Sequence, residues 1–146
     1  MRPLRHLRRL QRSHPMTVHI VYLAGAINKC SDDEAKNWRE EAKKILPLTV
    51  HILDPMSRDY RGVEIENASS IVEGDKADIL KATAIIVKAT KPSWGTAMEV
   101  MFAYQNKKPI YAFDAGPRPS PWLIYHCTIC DSLQTACAKA IRETTP

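Results

Sequence analysis

The sequence predicts a single α/β domain, a Rossmann- or flavodoxin-like sandwich in which helices flank a central parallel sheet of about five strands. Short apolar segments alternate with helix-like segments along most of the chain, which is the pattern of βαβ units. The strand-like segments are β-branched and almost continuously apolar, as expected for a sheet that is covered on both faces. At 146 residues, the chain is long enough to bury one such core.

The amino-terminal unit is indicated by an apolar strand and a capped helix. Residues 17–24 are rich in β-branched and aromatic side chains, which favours a strand. Ser31 and Glu34 then have the spacing of a capping box, in which each side chain accepts a hydrogen bond from the other residue's backbone N–H. The helix that begins there extends to about Ile45, because Pro47 cannot continue it.

The second unit has a long polar loop between its strand and its helix. Residues 49–53 form the predicted strand and residues 54–62 the loop at its carboxyl end. A helix is predicted over 70–81, although Gly74 lies in its interior. A glycine at such a position costs about 1 kcal/mol relative to alanine, which indicates close packing or a nearby ligand.

The carboxyl-terminal half continues the alternation. Residues 84–88 are a short β-branched run, and Pro92 and Gly95 separate this strand from a helix predicted over 96–106. A fourth strand is predicted over 109–113, followed by a turn-rich stretch with three prolines over 114–122. A short strand over 127–130 and a final helix over 131–142 complete the prediction.

Positive charge is concentrated at the amino terminus. Five of the 21 Lys and Arg residues and none of the 16 acidic residues lie in residues 1–15, so residues 16–146 carry 16 charges of each sign. We therefore expect neither nucleic acid nor, in the absence of a long apolar stretch, a membrane as partner. Residues 1–15 are predicted to be a disordered, non-catalytic extension of a single domain over 16–146. The alternatives are a true start at Met16, an Arg-rich targeting segment or a phosphate-binding arm.

The cysteines indicate a reduced protein without a metal. Cys127 and Cys130 have the CxxC spacing, but no second Cys or His pair has the spacing of zinc ligands. Both residues fall in or near the short predicted strand, where cysteines usually pack as small apolar side chains. With no signal peptide, we expect reduced thiols and a cytoplasmic location.

Glu99 is the most informative residue of the chain. It is predicted in about the first turn of the helix that follows strand 84–88, at the carboxyl edge of the sheet, where open α/β folds bind ligands. The small residues Gly95, Thr96 and Ala97 leave space for a substrate beside it. A carboxylate in this position can act as a nucleophile or a base. The alternative is that Glu99 only complements the helix dipole.

The ends of the predicted strands also offer further carboxylates and aromatic residues: Tyr22, Asp54, Asp59, Tyr60 and Asp75. Paired carboxylates suit a retaining displacement at an anomeric carbon, in which one ionised group captures the sugar while the other protonates the leaving group. The chain has neither a G-x-G-x-x-G nor a Walker A loop, and neither an HExxH motif nor a nucleophile elbow.

Five segments have the order and spacing of one enzyme family: 22–26, 53–62, Asp75 eight residues before Thr83, 92–99 and 120–123. Together they resemble the nucleoside 2-deoxyribosyltransferases and the related 2'-deoxynucleoside 5'-monophosphate N-glycosidases, over nearly all of 17–140. The resemblance implies exchange of the base of a 2'-deoxyribonucleoside with retention, through a covalent deoxyribosyl–glutamate intermediate. It also implies a deoxyribonucleoside and a free nucleobase as substrates, no cofactor, and a homo-oligomer with shared active sites.

The resemblance implies a role for each matching residue. Glu99 matches the nucleophile and Asp75 the general acid/base that protonates the departing base, with Asp78 as a nearby alternative. Glu99 must then be ionised and Asp75 protonated in the first step. Tyr22 matches an aromatic residue that orients the nucleophile, and Asp59 a contact to the base edge. The other substrate-binding residues implied are Ala24, Gly25, Ala26, Ile27, Asp54, Ser93, Gly95 and Ser120.

Ser93 leaves two kinds of substrate open. Many of the transferases carry an Asp six residues before the nucleophile, whereas the monophosphate hydrolases carry a Ser that contacts the 5'-phosphate. Residues 28–29, however, lack the Arg that those hydrolases tend to have. We therefore expect a transferase, with a monophosphate N-glycosidase as the alternative and a non-catalytic nucleotide sensor as a remote one. The candidates for a residue donated by a neighbouring subunit are Ser120, Trp122 and His126.

Overall fold

Five parallel strands form the centre of the molecule. The computed structural model describes residues 17–142, so the predicted extension over 1–15 lies outside the described residues. The strands are β1 (Ile20–Ala24), β2 (His51–Leu53), β3 (Ala84–Lys88), β4 (Ile110–Phe113) and β5 (Thr128–Cys130). They form one sheet in the order β2-β1-β3-β4-β5, and every pairing is parallel. The predicted doubly wound α/β sandwich is confirmed.

Helices cover both faces of this sheet. They are α1 (Trp38–Ile45), α2 (Ala68–Lys81), α3 (Trp94–Gln105), α4 (Pro121–His126) and α5 (Leu133–Ala140). A π-helical turn over Asp33–Asn37 leads into α1, and a 3₁₀ turn over Pro55–Arg58 follows β2. Helices α1 and α5 pack together on one face, and α2 and α3 pack on the other. None of the helices within residues 17–142 is long and apolar enough to cross a bilayer.

The alternation of side chains along β1 assigns its residues to two separate cores. Val21 and Leu23 pack on the α1 face against Trp38. Tyr22 and Ala24 point to the opposite face, where they belong to the core formed with α2 and α3. The wholly buried Tyr22 is therefore directed towards the two helices that carry the acidic residues singled out by the sequence.

Two helix starts agree with capping chemistry. The predicted capping box is present: Ser31 N donates to Glu34 Oε2 at 3.1 Å, and Glu34 N donates to Ser31 Oγ at 3.2 Å. Helix α3 begins at Trp94 rather than at 96, because Ser93 is its N-cap and accepts a hydrogen bond from Thr96 N. Glu99 consequently lies in the second turn of α3 and not in the first.

Helix α4 occupies part of a segment for which the sequence predicted turns. Ser120 caps it by accepting a hydrogen bond from Trp122 N at 3.2 Å, and Pro121 occupies the first helical position. A serine followed by a proline is a helix-start signal. The three prolines of this stretch hid that signal, because prolines also mark loops.

Candidate active site at the carboxyl edge of the sheet

The candidate functional residues converge between β1 and β3, where the order in which successive strands are added to the sheet changes direction. Strands β1 and β3 are neighbours, but α1 leaves β1 on one face while α3 leaves β3 on the other. A crevice forms at the carboxyl ends of two such strands, and ligands bind there in doubly wound folds. Tyr22 comes from β1, Asp75 from α2 and Glu99 from α3. The structure thus brings together the three residues that the sequence predicted to be catalytic.

Unsatisfied polar atoms mark the same place. Within residues 17–142, four buried side-chain atoms have no hydrogen-bond partner: Tyr22 Oη, Arg39 Nε, Thr96 Oγ1 and Glu99 Oε2. Each such atom costs about 1–3 kcal/mol, and native proteins contain few of them. The charges of Glu99 and Arg39 both act on Tyr22, so these three residues lie close to one another. A cluster of unpaired donors and acceptors is typical of a site that is completed by a ligand.

The buried carboxyl of Glu99 has an unusual acidity. Burial, together with the negative charge of Asp75, raises the pKa of Glu99 to about 8, although the Tyr22 hydroxyl and the charge of Arg39 act in the opposite direction. The Tyr22 hydroxyl is near enough to influence this carboxyl, yet neither Tyr22 Oη nor Glu99 Oε2 completes a hydrogen bond of normal geometry among the described residues. Glu99 is therefore mostly protonated at neutral pH in the substrate-free protein.

Tyr22 and Asp75 are shifted in the same direction as Glu99. Burial raises the pKa of Tyr22 far above its usual range, and the charges of Glu99 and Asp75 add to this effect, so its hydroxyl is always a neutral donor. Burial also raises the pKa of Asp75, against the opposing charge of Arg58. The resemblance required an ionised Glu99 and a protonated Asp75. In the free protein, burial favours the protonated form of both carboxyls, so the reactive form requires Glu99 to lose its proton.

Arg39 is a buried cation that the sequence reasoning missed. Its side chain is wholly inaccessible to solvent, and its guanidinium donates to the backbone oxygens of Ala35, Leu23 and Gly25, the last at 3.1 Å. The two carbonyls at the carboxyl end of β1 are held by these bonds. An arginine on the otherwise apolar stripe of a predicted helix is the signal that could have revealed it.

Asp54, predicted to bind substrate, has a carboxylate that is already engaged. Oδ2 lies 2.8 Å from Lys43 Nζ, and Oδ1 lies 3.5 Å from Arg39 Nε. Oδ1 also accepts a hydrogen bond from Met56 N and caps the 3₁₀ turn. These contacts show that Asp54 anchors Arg39 and the loop after β2. A contact between Asp54 and substrate remains a prediction.

Asp59, predicted to contact the base edge, is part of an ion-pair network near the protein surface. Arg61 donates from Nη2 to Asp59 Oδ2 at 2.7 Å and to Asp32 Oδ1 at 2.6 Å. Hydrogen bonds from Arg61 lower the pKa of Asp59 to about 2. Asp59 is thus an ionised, oriented acceptor, and its contact with a base remains a prediction.

The loop after β1, predicted to form the pocket floor, approaches the neighbouring helix closely. A Cβ atom on Gly25 would lie only 3.0 Å from Cζ2 of Trp38, so no larger residue fits without movement of the indole. Ala24 is fully buried, and Ala26 and Ile27 lead out of the strand into a turn. Contacts of 24–27 with substrate remain a prediction.

A cavity of about 780 Å³ lies beside the catalytic trio, between α3 and α4. Ser93 and Ser120 line it, together with Trp94 and Trp122, whereas the trio itself does not. Gly95 connects the two regions: a Cβ atom there would lie 3.9 Å from both Glu99 Oε1 and Ser93 Oγ. Gly95 is exposed and has no Cβ, so it places no side chain between Glu99 Oε1 and Ser93 Oγ. Cavities of this size accommodate small-molecule ligands.

The match to a family model decides the assignment. The model for nucleoside 2-deoxyribosyltransferases matches residues 21–135, which include every element from β1 to the start of α5. The chain belongs to the nucleoside 2-deoxyribosyltransferase family. No curated protein sequence matches the chain significantly.

Solved structures support the fold of this family member. A conserved protein from Enterococcus faecalis superimposes with a TM-score of 0.66 at 13% identity, covering 85% of this chain and 98% of that one. A 2-deoxyribosyltransferase from Bacillus psychrosaccharolyticus gives 0.65 at 16% identity, with 85% and 92% covered. A CMP N-glycosidase from Clostridium botulinum gives 0.52 at 20% identity, with 82% and 96% covered. The family and its fold were both predicted from the sequence and are confirmed.

The part of the chain that the structure describes contains no group of three or more His, Cys, Asp or Glu side chains with an arrangement that could hold a metal ion. Cys130 and Cys137 belong to the α1-side core, and Cys127 packs against the core on the other face. Burial raises the pKa of the Cys127 and Cys137 thiols to about 11, so they are neutral at physiological pH. Cys127 and Cys130 thus pack with the apolar core.

Proposed function

We propose that this protein exchanges the base of 2'-deoxyribonucleosides through a covalent deoxyribosyl–Glu99 intermediate. The observation that carries the proposal is the convergence of unpaired, buried polar atoms of Tyr22 and Glu99 with Asp75 at the β1/β3 crevice. Two carboxyl groups from different helices lie close enough for the charge of Asp75 to act on Glu99, and a retaining displacement at an anomeric carbon requires such a pair. Family membership agrees with this chemistry.

In the first step, Glu99 attacks C1' of the sugar while the bond from C1' to the base nitrogen breaks. Asp75 gives its proton to the leaving base and becomes a carboxylate. Glu99 loses its negative charge because one of its oxygens is now bonded to C1' as a deoxyribosyl ester. The reactive form has Asp75 protonated and Glu99 ionised, although burial in the free protein favours the protonated form of Glu99. The Tyr22 hydroxyl interacts with both carboxyls and can stabilise the ionised Glu99 in that reactive form.

In the second step, the second base attacks C1' from the side that the first base has left. The Asp75 carboxylate takes the proton of the incoming N–H, and Glu99 leaves as a carboxylate. Two displacements at the same carbon give retention of configuration. The cycle needs no metal or organic cofactor, because two carboxyls, a hydroxyl and the substrates supply every proton and electron pair.

A second candidate function is hydrolysis of a 2'-deoxynucleoside 5'-monophosphate, with water as the acceptor. The specific observation in its favour is Ser93, which is half-buried at the start of α3; a Cβ atom on Gly95 would lie 3.9 Å from both Ser93 Oγ and Glu99 Oε1. Lys91 lines the same cavity; its half-exposed ammonium lies 3.6 Å from Glu34 Oε2, a surface ion pair for which a phosphate would have to compete. Backbone N–H groups at a helix start also favour an anion.

We also propose that the functional unit is a homo-oligomer joined through α3 and α4. These helices carry only one charged residue between them, the proposed nucleophile. Large apolar side chains are exposed along both: Trp94, Met98, Trp122, Ile124 and Tyr125. A contiguous apolar surface of this kind is typical of a protein interface. Ser120, Trp122 or His126 of a second copy would then reach the neighbouring site.

The oligomer is tested by light scattering after size-exclusion chromatography. The wild-type chain is expected to elute as a dimer or larger assembly, and Tyr125→Glu is expected to shift it towards a monomer. A monomeric wild-type chain at micromolar concentration contradicts this part of the proposal.

The reaction is tested by chromatography of products from thymidine or deoxyinosine, incubated with and without adenine. A new deoxynucleoside that forms only with adenine supports base exchange. Free base that is released equally without adenine, above all from a 5'-monophosphate, supports the hydrolase instead. Glu99→Ala is expected to abolish either reaction without unfolding the protein, and an active Glu99→Ala variant contradicts both mechanisms.

A further inference from the structure

We propose that Arg58 is a positioning residue for the general acid: its guanidinium joins Asp75 to Asp78 and fixes the carboxyl oxygen through which Asp75 exchanges its proton with the nucleobase. The inference rests on the proposed function, because it assigns Asp75 the role of the acid. Arg58 lies at the end of the 3₁₀ turn that follows β2, at the carboxyl edge of the sheet. It therefore reaches the site from a different element than the carboxyls that it contacts.

The contacts of Arg58 come from a single nitrogen. Arg58 Nη2 donates to Asp78 Oδ2 at 2.9 Å and to Asp75 Oδ1 at 3.3 Å. The side chains of Asp75 and Asp78 are only 16% and 12% exposed, so both contacts are shielded from solvent. Asp78, the alternative acid in the sequence reasoning, thus anchors the arginine. Because Arg58 occupies Oδ1 of Asp75, the exchanged proton resides on Oδ2.

Gly74 accounts for the close approach of this arginine to α2. A Cβ atom at position 74 would lie 3.3–3.4 Å from Nε, Cζ and Nη2 of Arg58. These distances are tighter than ordinary contacts, so the guanidinium packs directly on the helix at the point where a side chain is missing. The glycine that is unfavourable for the helix is the residue that makes room for Arg58.

Charged and titratable groups surround Asp75 from every packed element. Arg58 faces it from the 3₁₀ turn, Asp78 from its own helix, Tyr22 from β1 and Glu99 from α3. Burial and the charge of Asp78 raise the pKa of Asp75, while Arg58 and the Tyr22 hydroxyl lower it. Arg58 thus prevents Asp75 from holding its proton too tightly, which matters for a group that must both release and recover a proton in one cycle.

Four variants of the full chain test this role. Arg58→Gln removes the charge, Arg58→Lys retains it, and Gly74→Ala displaces the guanidinium without altering any charged residue. Ser69→Ala, at an exposed position of the same helix, is the control for a substitution by alanine in α2 at a position other than 74. Carbon-detected NMR titration of the Asp75 carboxyl in the substrate-free protein gives the first readout. The split between kcat and KM for base release gives the second.

We expect Arg58→Gln to raise the pKa of Asp75 by about 1 and to lower kcat about 100-fold with little change in KM, since misplacement of a catalytic group acts on the chemical step. Arg58→Lys is expected to bring the pKa of Asp75 and kcat part of the way back to their wild-type values. Gly74→Ala is expected to change the pKa and kcat in the same direction as Arg58→Gln does. Ser69→Ala is expected to change neither the pKa of Asp75 nor kcat. An unchanged Asp75 titration in Arg58→Gln and Gly74→Ala overturns the proposal.

The outcomes separate this inference from the proposed function. If the wild-type chain releases no base from any deoxynucleoside or monophosphate, the proposed function fails. The titration of the Asp75 carboxyl still tests whether Arg58 controls that carboxyl. If Arg58→Gln does not fold, as judged by circular dichroism, Arg58→Lys and Gly74→Ala carry the test. Normal kcat in Gly74→Ala, with a normal Asp75 titration, counts against the role of Arg58.

Discussion

Replacement of Glu99 by glutamine is expected to stabilise the protein at alkaline pH while abolishing its activity. The carboxyl is held at the β1/β3 crevice, where Oε2 is buried and unpaired within the described residues. Burial and the charge of Asp75 raise its pKa from 4.5 to about 8. Between these two values the folded protein binds a proton that the unfolded chain has lost, so stability falls as the pH rises through this window.

The size of the effect follows from the same two values. At about 1.4 kcal/mol for each pH unit of the interval, the buried carboxylate costs about 5 kcal/mol above pH 8, about 3 kcal/mol at pH 7, and nothing below pH 4.5. Glutamine has the same shape and no charge, so Glu99→Gln removes the cost. The figures are upper bounds, because solvent that enters the open crevice reduces the penalty of burying the charge.

The assay is urea unfolding of both proteins at pH 5 and pH 8.5, with Glu73→Gln as the matched control at an exposed position of α2. Glu99→Gln is expected to raise the free energy of unfolding by several kcal/mol at pH 8.5 and by less than about 1 kcal/mol at pH 5. The control Glu73→Gln is expected to leave the free energy of unfolding unchanged at both pH values. A difference for Glu99→Gln that is independent of pH, or larger at pH 5, would refute the argument from burial.

Three further substitutions test other contacts. Tyr22→Phe removes a hydroxyl that lacks a complete hydrogen bond, so the free energy of unfolding in urea should fall by less than about 1 kcal/mol, while kcat falls at least about tenfold; normal kcat would deny the hydroxyl its role. Arg39→Met leaves Asp54 buried with one cation fewer and should cost about 3 kcal/mol of unfolding free energy, so a stability equal to wild type would contradict its anchoring role. Gly25→Ala forces a methyl group against Trp38 and should cost about 1–3 kcal/mol; a stabilised variant would show that the indole moves freely.

The fold was predictable because its elements follow local rules. The β-branched run over 84–88 became β3 with the same limits, and the capping box of Ser31 and Glu34 formed as expected. The parallel alternation then brings the carboxyl ends of neighbouring strands to one edge. That rule placed Glu99 at this edge before any contact was known, and the resemblance to the family assigned Tyr22 and Asp75 to the same site.

Other features of the site depend on contacts between distant segments, which no local pattern encodes. The side chain of Arg39 is fully buried only because the carbonyls of β1 and the carboxylate of Asp54 meet it from other elements. Gly74 carried a signal of close packing in the sequence, but its cause, Arg58, lies in a loop after another strand. The raised pKa of Glu99 likewise follows from its burial by other elements, which the local sequence does not encode.

The covalent intermediate is the central claim, and mass spectrometry of acid-quenched protein tests it most directly. The protein is mixed with excess deoxynucleoside in the absence of a second base, quenched within seconds, and digested with a protease. The account predicts a mass increase of one 2-deoxyribosyl group on the peptide that contains Glu99, lost again when adenine is added before the quench. Base release without any such adduct, or an adduct on Asp75 instead, would contradict it.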